Sequence, residues 1–140
     1  MPARAEVVWR KLQAVREAVE RLRAQLPITV ERLAQDGILE WAVERGLQVA
    51  AEALFDAGNH ILAGEFSEAA DEYARIPERL AAHGVIAPAT AGRLRSLSGF
   101  RNLLVHDYAV VDRARLVAGL GRLEDFNAFV ADVEAWFGRR

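Results

Sequence analysis

Apolar residues recur at alternating steps of four and three positions near the start of the chain, and this spacing is the strongest constraint on the fold. Between residues 4 and 26 the series is Val8, Leu12, Val15, Val19, Leu22 and Leu26. Steps of three and four place side chains on one face of an α-helix, because the helix completes a turn every 3.6 residues. The sequence therefore predicts an amphipathic helix over residues 4–26, which ends at Pro27.

Helical spacing continues along the rest of the chain and is interrupted by residues that cap or end helices. The first predicted helices are a short one capped by Thr29 and ending at Gln35, a long central one from Ile38 to about Gly64, and one capped by Ser67 and running to about Arg75. Pro77 then opens a fresh turn or kinks this helix, and His83-Gly84 end the segment. The next helix should begin at Pro88 and is formed by residues Arg93 to His106; a short one capped by Asp112 ends near Leu120, and a last one is marked by Phe126, Phe129, Val130, Val133 and Phe137. No segment shows sustained strand alternation. We predict an all-α bundle of four to five main helices, in a single domain spanning residues 1–140.

Composition excludes several classes of protein and of site. A hydrophobic content of 52% with 27% charged residues is typical of a globular protein, and no apolar run is long enough to cross a bilayer. Charges at Arg4 and Glu6 stand where a secretory signal would be apolar, so we predict a cytoplasmic protein. The absence of cysteine excludes disulfides, thiolate zinc sites and cysteine nucleophiles. His60, His83 and His106 lack zinc-site spacing, and no Gly-rich phosphate loop is present, so we expect neither a metal nor a cofactor.

Acidic residues on the predicted central helix could also indicate a site for two metal ions. Glu40, Glu44, Glu52 and Asp56 are separated by multiples of four positions, a spacing found in di-metal carboxylate bundles. The Glu-x-x-His pair that such bundles also need is absent. We interpret these residues as a solvated helix face.

Positive charge is concentrated in one segment although the whole chain carries a net charge of −2. Residues 86–122 contain six arginines against Asp107 and Asp112, a local charge of +4 that leaves −6 for the remainder. A basic segment indicates a surface for anionic partners such as RNA. All basic residues except Lys11 are arginine, however, so a genome rich in G and C is an alternative explanation.

Arg101 and His106 are the residues of this segment best suited to bind a phosphate and to transfer a proton. Arginine can bind a phosphate with two hydrogen bonds, and histidine can transfer a proton near neutral pH. On one helix the two positions diverge by about 140°. Arg101 lies in the apolar sector of its helix, so its charge needs a partner, and Asp56 is our candidate. The two residues can converge on one phosphate if the helix ends early or if two chains of a homodimer line one cleft.

The string Phe100-Arg101-Asn102-Leu103-Leu104-Val105-His106-Asp107-Tyr108 resembles the signature of HEPN-domain proteins of the HepT type. These proteins are toxins encoded with a small nucleotidyltransferase antitoxin. The segment Asp56-Ala57-Gly58-Asn59-His60-Ile61 is similar to the family's central helix, and helix order and length agree over essentially the whole chain.

The resemblance implies an all-α homodimer with its active cleft at the dimer interface and a metal-independent endoribonuclease activity. His106 would act as general acid or base, Arg101 would stabilise the charge on phosphorus, and Asn102 would orient the phosphate or His106. Tyr108 would receive AMP from the partner nucleotidyltransferase, which would block the cleft.

Asp107 stands where many relatives have a small residue, and its carboxylate would raise the pKa of His106 or repel RNA. His60 is expected to be a core or interface histidine, with a contact to the cleft as the alternative. Two other functions stay open: a non-catalytic helical module that binds a nucleotidyltransferase or a nucleotide, and a purely structural dimer in which Arg101 is a salt-bridge residue.

Overall fold

The computed structural model describes residues 2–70, 72–106 and 112–140, with the side chains of residues 5–70, 72–97 and 112–140. These residues form seven α-helices and one 3-10 turn, and they contain no strand. The helices are α1 (Pro2–Arg23), α2 (Val30–Gln35), α3 (Gly37–Phe66), α4 (Ile76–Ala82), α5 (Pro88–His106), α6 (Arg113–Leu120) and α7 (Leu123–Gly138). The prediction of an all-α bundle is confirmed, and the four long helices α1, α3, α5 and α7 are its main members.

Helix α1 packs along α3 through the predicted apolar face. The buried residues of this face are Val8, Leu12, Val15, Val19 and Leu22. Leu26 was predicted to continue the series, but α1 ends at Arg23 and the Leu26 side chain is 41% exposed. Proline disfavours helical conformation in the residue before it, so the chain leaves the helix ahead of Pro27.

Two capping residues define the junction between α2 and α3. The Thr29 side chain accepts a hydrogen bond from the Arg32 backbone N–H at 3.1 Å, which confirms the predicted start of α2. Asp36 ends α2 and also begins α3, where its carboxylate accepts from the Leu39 N–H at 3.0 Å. Because the cap satisfies an N–H that has no partner within the helix, α3 begins at Gly37, next to the predicted Ile38.

Helix α3 is the central element, and its 30 residues span about 45 Å. Its buried face carries Leu39, Val43, Leu47, Leu54, Phe55 and Ile61. The helix ends at Phe66, near the predicted Gly64. Around it the other three long helices complete the hydrophobic core.

The segment after α3 differs from the prediction. Ser67 does not cap a following helix; it ends α3 in a left-handed conformation with φ of 54°, and its N–H donates to the Leu62 carbonyl. The described residues between Ser67 and Tyr73 are not helical, and only a 3-10 turn, Tyr73–Arg75, forms where the predicted helix ends. The prediction was wrong because serine's hydroxyl suits a helix start, whereas here the backbone N–H of Ser67 closes the preceding helix.

Helices α4 to α7 follow the predicted order. Pro77 lies in the first turn of α4, and Gly84, with φ of 74°, provides the turn after its end. Helix α5 begins at Pro88, where the sequence predicts a helix start, because proline suits the first helical position. Asp112 caps α6 as predicted, accepting from the Ala114 N–H at 2.9 Å. None of the described helices combines the length and apolar character needed to span a membrane.

Candidate functional site

The three predicted catalytic residues stand near the carboxyl end of α5. The described backbone of this helix includes Arg101, Asn102 and His106 on its last two turns. Asp107 and Tyr108 lie outside the described residues, so their roles stay predictions.

The first half of α5 establishes which of its faces is buried. Leu94 is 0% and Leu97 is 2% exposed, whereas Arg95 lies on the surface. Helix α5 continues to His106, so positions 101 and 106 are about 140° apart around its axis. The side chains of these two residues lie outside the described ones, and their divergence within one chain stays a prediction.

The arginines around the motif are largely matched by acidic side chains from elsewhere in the chain. Arg93 pairs with Asp125 at 3.1 Å, and Arg122 pairs with the same carboxylate. Arg95 pairs with Glu78 at 2.9 Å. The positive charge predicted from residues 86–122 is therefore partly neutralised, because folding brings acidic residues of α4 and α7 against it.

Arg115 differs from the arginines of this segment that have acidic partners. Its side chain is exposed and has no acidic partner among the described side chains. It lines a shallow groove between α5 and α6 together with Ser96 and Arg122. An arginine in this situation can contact a phosphate without first breaking an ion pair.

An ion pair links the start of α6 to the central helix α3. Arg113, the first residue of α6, hydrogen-bonds through its guanidinium to the Glu40 carboxylate on α3. This bond raises the already high pKa of Arg113. Partial burial, assisted by the nearby Glu40 charge, also raises the pKa of Glu44.

The interpretation of the α3 carboxylates as a solvated face was therefore wrong for Glu40. Glu40 is only 24% exposed at its side chain and is ion-paired, and Glu44 is partly buried. Sequence reasoning missed the Glu40–Arg113 link because the two residues are 73 positions apart and no local pattern joins them.

Asp56 and His60 stand one turn apart on α3. The Asp56 carboxylate accepts a hydrogen bond from the Lys11 ammonium of α1 at 3.5 Å, and both side chains are about two-fifths exposed. Lys11 is thus the partner of Asp56 that the described side chains show. The predicted pairing of Asp56 with Arg101 stays a prediction. His60 is partly buried, and its predicted supporting role also stays a prediction.

The described part of the chain provides no cluster of metal-binding side chains. It contains no group of three or more His, Asp or Glu residues placed to hold a metal ion.

Solved structures share this architecture over nearly their whole length. A tri-AMPylated Shewanella oneidensis HEPN toxin, in complex with an MNT antitoxin, is 25% identical to this chain with a TM-score of 0.78, over 92% of this chain and 97% of that one. A MntA toxin–antitoxin complex with a tyrosine-to-alanine substitution gives 25% identity and a TM-score of 0.80, over 92% and 98%. The cytosolic protein of unknown function YutE from Bacillus subtilis, 18% identical, shares the fold with a TM-score of 0.79, over 92% and 87%.

A search of curated proteins finds no match to this chain. A comparison with models of protein families gives a more specific result. The model of the family described as Ribonuclease HepT-like matches residues 15–133, a range that includes α3, α5 and the whole string from Arg101 to Tyr108. This all-α chain, with its motif at the end of α5, belongs to the HepT-like ribonuclease family and has a HEPN-type fold.

Proposed function

We propose that this protein is the toxin of a toxin–antitoxin pair, a metal-independent endoribonuclease of the cytoplasm. It cleaves RNA at a composite cleft that the Arg101 and His106 motifs of a homodimer form together. A partner nucleotidyltransferase neutralises it by adenylylating Tyr108. The functional unit is a single domain spanning residues 1–140.

The family match across the complete motif carries this proposal. A HEPN toxin with 25% identity is AMPylated and bound to an MNT antitoxin, which supports the same kind of partner here. The register of α5 supports a composite cleft, since Arg101 and His106 diverge by about 140° on one helix. Two copies related by a two-fold axis can supply an arginine and a histidine to the same phosphate.

The chemistry needs a proton acceptor, a proton donor and a stabiliser of negative charge. His106 removes the proton of the ribose 2′-hydroxyl, or donates one to the leaving 5′-oxygen, as the new bond to phosphorus forms and the old one breaks. Arg101 stabilises the charge that develops on the phosphoryl oxygens, and Asn102 orients the phosphate or His106. Asp107 follows His106 in the sequence, and its negative charge would either favour the protonated imidazole or repel RNA.

Adenylylation at Tyr108 provides the regulatory step. The phenol oxygen attacks the α-phosphorus of ATP and pyrophosphate leaves, which adds bulk and negative charge two residues from His106. Intact mass after incubation with ATP and a partner nucleotidyltransferase should rise by one or more AMP groups. A mass shift that persists in Tyr108→Phe would remove Tyr108 as the acceptor.

RNA cleavage in EDTA tests the nuclease. The purified protein is expected to cut RNA, and His106→Ala to lose at least about 100-fold of this activity, because general acid–base catalysis contributes about 10²–10⁴-fold. The melting temperature of the variant should be unchanged.

His83→Ala is the matched control, because His83 lies at the end of α4 and is bonded to Glu68 at 2.9 Å. It is expected to keep its activity. Equal activity in wild type and His106→Ala would reject the catalytic role of His106. A protein that binds the nucleotidyltransferase and leaves RNA intact would support the non-catalytic alternative.

A further inference from the structure

Two large apolar side chains protrude from the amino-terminal part of α3. Ile38 is 75% and Trp41 is 73% exposed, the highest values among the large hydrophobic residues described. Exposed tryptophan on a rigid helix is costly in water and is enriched at the energetic centres of protein interfaces. We call these two residues the α3 ridge.

A groove runs beside the α3 ridge, between α1 and α3. Its volume is about 640 Å³, and its floor is apolar, with Ala18, Leu22 and Val43 among the lining residues. Gly46 keeps the two helices close, because a Cβ at this position would lie 2.9 Å from the Leu22 side chain. The α3 ridge and the groove therefore form adjoining convex and concave parts of one surface.

The charged residues along the groove carry both signs. Glu17 and Asp36 are acidic, and Arg21 and Arg45 are basic, so the four charges balance. An RNA-binding groove needs an excess of positive charge, which this surface lacks. A two-fold axis can pair opposite charges of two identical mixed surfaces without net repulsion.

The extent of this surface suits an interface between two copies. Fourteen residues line the groove, and Trp41, Glu44 and Gln48 line an adjoining one on the other side of the α3 ridge. Interfaces of standard size use roughly 20–30 residues on each side. The combined surface approaches that size.

The α3 ridge adjoins an ion pair to α6, the helix that follows the catalytic motif in the chain. Glu40, next to Trp41 in sequence, binds Arg113 at the start of α6. Six chain steps separate His106 from Asp112, which caps α6, and they span at most about 23 Å. The Glu40–Arg113 pair therefore links the residue next to Trp41 to the helix that follows the catalytic motif in the chain.

We propose that the α3 ridge of one copy inserts into the groove between α1 and α3 of a second copy, and that this contact is the two-fold interface which assembles the composite cleft. Trp41 is its anchor. The inference rests on the proposed function, since a composite cleft requires two chains.

Measurement of mass in solution tests this interface. The wild type is expected to have a dimeric mass by analytical ultracentrifugation at micromolar concentration. Trp41→Ala should raise the dimer dissociation constant at least about 30-fold, as truncation of an anchor tryptophan typically does. Trp41→Glu should be monomeric and still folded, with an unchanged far-UV circular dichroism spectrum, because the side chain makes little contact within its own chain.

Trp9→Ala is the matched control, since Trp9 is 42% exposed and lines neither groove. It should remain dimeric. A monomeric wild type, or a dimeric Trp41→Glu, would overturn the proposed interface. So would a dimeric Trp41→Glu that has lost only its binding to the nucleotidyltransferase, because the surface would then belong to that partner.

RNA cleavage separates this inference from the nuclease proposal. If the wild type is a dimer that Trp41→Glu dissociates but it cuts no RNA, the interface stands and the nuclease proposal fails. If Trp41→Glu remains dimeric and cuts RNA at the wild-type rate, the nuclease proposal stands and the interface fails.

Discussion

Glu44 shows how a single carboxylate on the central helix responds to its surroundings. It is partly buried on α3, one turn after Glu40, and both burial and the Glu40 charge raise its pKa above 4.5. An acid whose pKa is raised by folding contributes stability below its unfolded pKa and loses that contribution as the pH rises through the folded pKa. At pH 7 the charged form of Glu44 therefore works against the folded state.

Glu44→Gln is expected to be more stable than the wild type at pH 7, by at most about 0.5 kcal/mol because the side chain is only partly buried. The difference in free energy of unfolding between variant and wild type should shrink as the pH falls below 4.5, where the wild-type carboxyl is also neutral. Urea unfolding of the variant and the wild type at pH 7 and at a pH below 4.5 measures this difference in free energy. Glu72→Gln is the control, since it removes the same charge from an exposed side chain. A difference for Glu44→Gln that does not change with pH would contradict the assignment.

Two glycines distinguish tight packing between helices from an open helix surface. Gly58 on α3 lies against α4, and a Cβ there would be 2.6 Å from the Ile76 side chain and 3.0 Å from Leu80. At Gly92 on α5, a Cβ would have open space around it, with no atom within 4 Å apart from its chain neighbours and the nearby backbone of its own helix. Both glycines sit inside helices, where alanine is intrinsically favoured over glycine by roughly 1 kcal/mol.

The two substitutions to alanine should therefore have opposite effects. Gly58→Ala is expected to destabilise the fold by about 1–3 kcal/mol, because the added methyl overpacks the contact between α3 and α4. Gly92→Ala should stabilise it by about 0.5–1 kcal/mol, since only the helix preference changes. Thermal or urea unfolding of the pair provides the measurement. A stabilising Gly58→Ala would show that α4 moves away from α3 with little resistance.

Local pattern was sufficient for most helices and insufficient for contacts made across the chain. Thr29 and Asp112 cap the predicted helices because a cap bonds within its own first turn. Ser67 was misread because its role depends on how α3 ends, which side-chain preference does not reveal. The motif on α5 was recognisable as a contiguous string, whereas the Glu40–Arg113 pair and the pairing of Lys11 with Asp56 arise only in the folded chain.

At the scale of the whole molecule, the proposed cleft makes a prediction that no single chain can satisfy. If Arg101 of one copy works with His106 of the other, each dimer has two such pairs. Arg101→Ala and His106→Ala are each expected to abolish RNA cleavage as homodimers, because every pair then lacks one member. A heterodimer of the two variants keeps one complete pair and has one pair in which both members are missing.

Mixing the two inactive variants and allowing exchange should therefore restore cleavage. Random assortment makes half of the dimers heterodimers with one of two pairs intact, so about a quarter of wild-type activity is expected from a symmetric dimer. Arg95→Ala is the matched control variant, because Arg95 is an exposed arginine of the same helix and its variant should be active on its own. Native mass spectrometry of the mixed Arg101→Ala and His106→Ala proteins verifies that subunits have exchanged. If Arg101 and His106 instead act within one chain, every chain in the mixture lacks one of the two residues and no cleavage is restored. Absence of cleavage in the exchanged mixture would therefore reject the composite cleft.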